Sequence, residues 1–195
     1  MEQLQSLAGD PNSDIEELLN KALFVSRKLK IKKFRKWCEL ELEGYGDTKL
    51  PEYRKIKGQL KAFDPHHGLR TFMIQDELNE AATSLKIRHS IGDIKNLLMQ
   101  KGDTFQYLID NQAKNALMSL QDGFAKFEPR IIFYRTQLMS ICTKVRNIIY
   151  RWSLQLEEDG ILGEGLKFTK KEKEVAMSVN HFNIQKYMTK NKPLK

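Results

Sequence analysis

Two arginines, Arg54 and Arg146, and two glutamates, Glu41 and Glu157, carry the ionic chemistry open to this chain, with Tyr45 and Tyr53 beside them. Two arrangements of these six residues are possible. In the first, the arginines form partly buried pairs with Glu41 and Glu157 and lock a helical hairpin against a long helix. Losing one partner would then cost on the order of 3–5 kcal/mol. In the second, Arg54 and Arg146 fork onto a phosphate and Tyr53 stacks nearby, making an anion pocket. Other reactive types are sparse. His66 and His67 follow Asp64-Pro65 in a turn with no third metal ligand in view, and read as an exposed loop. His89 and His181 have no nucleophile beside them, and nothing marks a Ser-His-Asp or Cys-His arrangement. Cys38 and Cys142 fall on apolar stripes and read as buried reduced thiols, with neither a disulfide nor a metal site between them. No catalytic residue, metal or cofactor is expected.

The elements that must hold these residues are legible from periodicity. Leu138, Ile141, Cys142, Val145, Ile148, Ile149, Trp152 and Leu156 form one helical stripe, giving a helix from Thr136 to about Asp159. Gly160, Gly163 and Gly165 follow it. A dinucleotide loop would follow a strand and not a helix, so these glycines are read as a helix-terminating turn with positive φ. Near the start, Ser13-Asp14-Ile15-Glu16 has the capping-box pattern, and Ile15, Leu18, Leu19, Ala22, Val25, Ser26 and Leu29 make one face. After a break near Lys30, a second helix turns Phe34, Trp37, Cys38 and Leu42 inward and stops at Gly44, giving an antiparallel hairpin.

From Leu50-Pro51 the chain becomes extended, and Arg54 to Ala62 alternates as a half-exposed strand. Asp64 to Gly68 turns it, and Leu69 to Ile74 returns. Helices are expected over 76–85, 91–100 and 111–120, then a third strand over 130–135. Thr169-Lys-Lys-Glu172 repeats the capping box before a last helix to about Ser178, and 180–184 reads as extended. The expected class is α+β: mainly helical, with a small antiparallel sheet of about three strands. Residues 1–12 are read as a flexible leader, 13–184 as the domain and 185–195 as a basic tail.

At 195 residues, with 41% hydrophobic and 30% charged side chains, the chain can bury a core without staples. No apolar run approaches the roughly 20 residues of a membrane span, and the first nine residues have no secretory-signal pattern. The net charge of +8 is uneven. Residues 167–195 hold eight lysines against Glu172 and Glu174, and so account for most of it. A second basic run, Lys21 to Lys36, is flanked by acidic segments and reads either as a solvated helical surface or as a phosphate-binding patch.

Trp37, Glu41-Leu42-Glu43-Gly44-Tyr45 and Leu50-Pro51-Glu52-Tyr53-Arg54 together resemble the opening of AbiTii domains from bacterial abortive-infection systems. Val145-Arg146-Asn147, Trp152-Ser-Leu-Gln-Leu-Glu157, Gly160-Ile-Leu-Gly-Glu-Gly165 and Phe168 resemble the closing half of that domain. All six ionic and aromatic candidates sit in these two motifs, and the resemblance spans roughly residues 15–184. It implies a cytoplasmic phage-defence protein acting as, or beside, an effector that stops growth of the infected cell. It brings no catalytic residues with it. The expected function is an effector, toxin or adaptor working through self-association as a homo-oligomer or through a partner defence protein. The alternative is a nuclease or nucleotide-acting toxin that uses the basic segments to hold nucleic acid. Membrane disruption by an amphipathic helix ranks last, because the long helix needs its stripe for the core.

Overall fold

The computed structural model describes residues 1–121 and 126–178. In chain order the helices are α1 (Glu2–Gly9), α2 (Ile15–Lys28), α3 (Lys32–Glu43), α4 (Asp76–Thr83), α5 (Ile91–Met99), α6 (Asn111–Ser119), α7 (Arg135–Glu158) and α8 (Lys170–Ser178). The strands are β1 (Lys55–Lys57), β2 (Gln59–Asp64), β3 (Gly68–Thr71), β4 (Ser84–Lys86), β5 (Thr104–Tyr107) and β6 (Glu128–Tyr134). The molecule is α+β and mainly helical, with antiparallel sheets of two and four strands. It divides into two compact units. Of the described residues, the first comprises 1–54, 88–99 and 139–178; the second comprises 55–87, 100–121 and 126–138.

In the first unit, α2 and α3 form the expected hairpin, joined through Leu29–Ile31. Asp14, rather than Ser13, caps α2: its Oδ1 accepts the N–H groups of Glu16 at 2.8 Å and Glu17 at 3.1 Å. The hairpin break falls at Lys30, a non-glycine residue with φ of 60°. Gly44 ends α3 with φ of 90°, and a Cβ there would press on the Arg88 carbonyl oxygen. The core faces are those the periodicity marks. Leu18, Leu19, Ala22 and Val25 of α2, Phe34 and Trp37 of α3, and Ile141, Val145, Ile148, Ile149, Trp152 and Leu156 of α7 are all buried. At their centre the Phe34 and Trp152 rings stack 3.7 Å apart.

Residues 1–12 depart from the expected leader of little order. They contain α1, whose Leu4 and Ala8 are buried. Eight residues with two inward apolar positions give too short a pattern to distinguish from coil; burial, not propensity, makes the helix. The segment 180–184 and the tail 185–195 lie outside the described residues.

In the second unit, the strand expected over 54–62 is divided at Gly58. Its N–H goes to the Thr83 carbonyl at 2.8 Å, and a Cβ would meet Ile131 Cγ2 at 2.5 Å and Leu85 Cδ1 at 3.2 Å. The close approach demands glycine and turns the chain from one sheet to the other. Thus β1 pairs with β4, while β2 lies between β3 and β6 in the order β3-β2-β6-β5. Leu60 lies opposite Ile131, and Phe105 opposite Phe133, with Leu60, Ile131 and Phe133 buried. Among the described residues there are six strands instead of about three: β1 is split from the expected first strand, and β4 and β5 span only three or four residues, too short for their alternation to mark a strand.

Candidate functional site

Four of the six candidates come together in the first unit. The Glu41 carboxylate, on the inward face of α3, receives Arg54 twice: Nε donates to Oε1 at 3.2 Å and Nη2 donates to Oε2. Tyr45 and Tyr53 donate their hydroxyls to the same Oε1 at 2.6 and 2.5 Å. Arg54 Nη1 reaches the His89 carbonyl at 2.6 Å, and its guanidinium lies 4.9 Å from the Tyr45 ring centre. Trp37 Nε1 donates to the Tyr53 oxygen at 2.9 Å, extending the network to a residue the sequence placed only in the apolar core.

Local sequence explains how each side chain gets there. Glu41 shares the stripe of Phe34, Trp37 and Cys38. Gly44 releases Tyr45 from the helix, and Pro51 starts the 3-10 turn Glu52–Arg54 that turns Arg54 inward. Neither Glu41 nor Arg54 has any exposed surface. Burial pulls the Arg54 guanidinium down, but Glu41 outweighs it and holds the group above its ordinary range. Burial first, and the Glu41 charge second, push both tyrosine hydroxyls well up, so they act as donors and not as bases.

Arg146 and Glu157 do not join this network. Glu157 is exposed and accepts from Gln5 Nε2 at 2.6 Å. Arg146, on α7, grips the connection from α1 to α2: Nη1 donates to Leu7 O (2.7 Å), Asp10 O (2.8 Å) and Ser13 Oγ (2.6 Å), and Nη2 to Ser13 O (2.7 Å). All four acceptors are neutral. Burial accordingly lowers the Arg146 pKa, with Asp10 the main opposing influence. The pairing expected of Arg146 with a glutamate is therefore replaced by backbone carbonyls, and a phosphate touching both arginines would have to open the core around Arg54.

The glycine turn is organised by Glu172, which the capping-box pattern placed but whose reach it did not reveal. Glu172 accepts the N–H groups of Leu162 and Gly163 at 2.9 Å and of Thr169 at 2.7 Å, while Thr169 Oγ1 returns the cap at 3.2 Å. Burial pushes this carboxyl up, but the amides led by Gly163 and Thr169 win and hold it below its ordinary value. Gly160, Gly163 and Gly165 all have positive φ, as expected. A Cβ on Gly163 would strike the Phe168 ring, whereas one on Gly165 meets open space. Gly163→Ala is expected to cost about 2–4 kcal/mol, backbone strain plus displacement of Phe168, and Gly165→Ala only about 1–2. Urea unfolding of the two variants checks this; equal midpoints would contradict it.

The remaining candidates are structural in their contacts. His67 Nδ1 lies 2.9 Å from Asp64 Oδ2, and Asp64 also accepts the His66 N–H and pairs with Arg70. Among the described residues, no group of three or more His, Cys, Asp or Glu is placed to hold a metal. Burial pushes both thiols up, Cys142 to about 11, so neither is poised as a nucleophile at neutral pH. In the basic run, Arg27 and Arg35 pair with Glu39 at 3.3 and 3.6 Å, and Lys21 lies 3.9 Å from Glu17. No helix among the described residues is long and apolar enough to cross a membrane.

A groove that sequence reasoning did not anticipate lies in the same unit. It has a volume of about 610 Å³, and Arg146 opens onto it beside Cys142, Met139 and Tyr150 of α7 and Leu98 of α5. The only signal for it in the sequence was Met139 and Tyr150 standing off the buried stripe of α7.

No curated protein and no solved structure gives a significant match to the chain. A family model described as AbiTii matches residues 1–181, taking in the Glu41 network, the Arg146 clasp and the glycine turn. The chain belongs to the AbiTii family, and its role is in abortive-infection phage defence.

Proposed function

We propose that this protein serves phage defence as an effector or adaptor that works by association, with itself or with a partner defence protein in the cytoplasm. The observation that carries this reading is the edge of the four-stranded sheet. β3 has β2 on one side and, among the described residues, no strand on the other. It presents Leu69, 50% exposed, and the chain just beyond it presents Met73, 87% exposed. An edge strand with exposed apolar side chains is a template for pairing with another strand, and the one charged residue of β3, Arg70, is engaged by Asp64 of the neighbouring β2. A second support is negative in kind: Glu41 and Arg54, the strongest polar pair of the family motifs, are spent on each other inside the core, where no substrate reaches them.

The test is light scattering on the eluted protein. A mass above the 22.8 kDa of one chain is expected, falling to that value in Leu69→Lys/Met73→Lys with an unchanged circular dichroism spectrum. The same double variant is expected to lose protection in cells challenged with phage. A monomer that still protects would refute the reading. The nucleic-acid alternative gains little from the basic run, whose Lys21, Arg27 and Arg35 lie against the flanking Glu17 and Glu39, and salt-sensitive binding of an RNA or DNA oligomer would be needed to restore it.

A further inference from the structure

The face of α7 opposite its core stripe meets the rest of the first unit through the Arg146 clasp and otherwise stands open. Its buried face carries Ile141, Val145, Ile148 and Trp152. Positions 139, 143, 146, 147 and 150 recur at helical spacing on the other side. On that face Met139 is 51% and Tyr150 38% exposed, and together with Pro11 and Leu98 they wall the groove of about 610 Å³. Exposed apolar side chains around a concavity mark a surface suited to being covered by a ligand or partner. The size lies within the roughly 300–1,000 Å³ of small-molecule sites, which combine apolar walls with a few convergent polar groups.

The polar group here is Arg146. Its four acceptors orient the guanidinium but do not neutralise it, and among the described residues no carboxylate forms an ion pair with it. The nearest acids are engaged elsewhere. Asp10 Oδ1 accepts the Asn12 N–H at 2.9 Å; Asp14 caps α2 and pairs with Lys95, which also holds Glu16 at 2.9 Å. No acidic side chain lines the groove itself, while Thr143 and Asn147 offer it a hydroxyl and an amide. A fixed cation between apolar walls attracts an anion more strongly than a lysine in water does, because the walls exclude solvent from one side.

We propose that this groove is a binding site for a small molecule that joins an apolar body to one anionic group, the anion resting on Arg146 and the body against Met139, Leu98 and Tyr150. The site shares no residue with the β3 edge and does not depend on the association proposed above. The anion can be a carboxylate, sulfonate or phosphate; the apolar body distinguishes this ligand from free phosphate, which has nothing to place against the walls.

The test uses the full chain and two fluorescent probes of similar shape: 8-anilinonaphthalene-1-sulfonate, which is anionic, and N-phenyl-1-naphthylamine, which is neutral. One saturable site is expected for the sulfonate, with affinity at least about tenfold above that of the neutral probe. Thr143→Trp fills the groove without touching the Arg146 contacts, and is expected to weaken sulfonate binding at least about tenfold. Arg146→Gln is expected to abolish the preference for the sulfonate. Excess inorganic phosphate is expected to leave the bound sulfonate in place, and dodecanoate to displace it. Equal affinity for the two probes would overturn the anion assignment. Undiminished binding in folded Thr143→Trp would overturn the site, and that variant decides the matter even if Arg146→Gln does not fold.

Discussion

Glu41→Leu is expected to destabilise the protein by about 3–5 kcal/mol, read as a lower urea midpoint with an unchanged slope. The substitution removes one carboxylate and strands four donor groups on three side chains. Arg54 is left as a charge with no exposed surface, its Nη1 still on the His89 carbonyl but its two contacts to Glu41 gone. The hydroxyls of Tyr45 and Tyr53 lose their shared acceptor. Removing one member of a buried pair costs more than the pair contributes, because the survivor keeps its desolvation penalty without compensation. Two comparisons separate this account from simple loss of packing. Arg54→Met alone is expected to be nearly as damaging, since it leaves a buried carboxylate. Combining Arg54→Met with Glu41→Leu is expected to be less destabilising than the sum of the two by several kcal/mol, of the order of 2–3, as contacting residues couple strongly. Additive single effects would show that Glu41 and Arg54 do not act as a pair, and a loss below about 1 kcal/mol for Glu41→Leu would show that the network does not bear on stability.

Trp152→Ala should be of similar size, about 3–5 kcal/mol, for a different reason. Trp152 has no exposed surface, and its ring lies flat on Phe34, 16° from parallel, so α7 and α3 meet through this stack. Alanine opens a cavity that rigid helices on both sides cannot close. Trp152→Phe is the informative control. The indole Nε1 has no hydrogen-bond partner among the described residues, so phenylalanine keeps a stacked ring and removes a buried donor that already costs free energy. Its expected loss is about 1–2 kcal/mol, well below that of alanine. Thermal unfolding of both variants tests this, and an equal drop in midpoint would mean that the indole makes a contact other than the stack.

What could be read in the chain, and what could not, divides along a physical line. The inward faces of α2, α3 and α7 repeat over several turns, so apolar spacing alone determines which side of each helix is buried. Gly44, Thr169-Glu172 and the glycines after α7 act through their own backbone or that of near neighbours, and were legible for that reason. That Arg54 and Glu41 pair was one of the arrangements the residue types allowed, since a buried cation and a buried carboxylate have few other outcomes.

The partners of Arg146 were not legible. Backbone carbonyls exist at every residue, and only the path of residues 7–13 brings three of them to one guanidinium. The division at Gly58 likewise depends on Ile131 and Leu85, some 70 and 30 residues away in the chain, arriving at its Cα. The strands β4 and β5 and the helix α1 are too short to carry a period, so their conformation is set by what they lie against. The groove beside α7 exists only where three separated segments leave space between them. Local order follows from local spacing. Long-range pairing and empty volume arise when the chain closes on itself, and no window of sequence contains that closure.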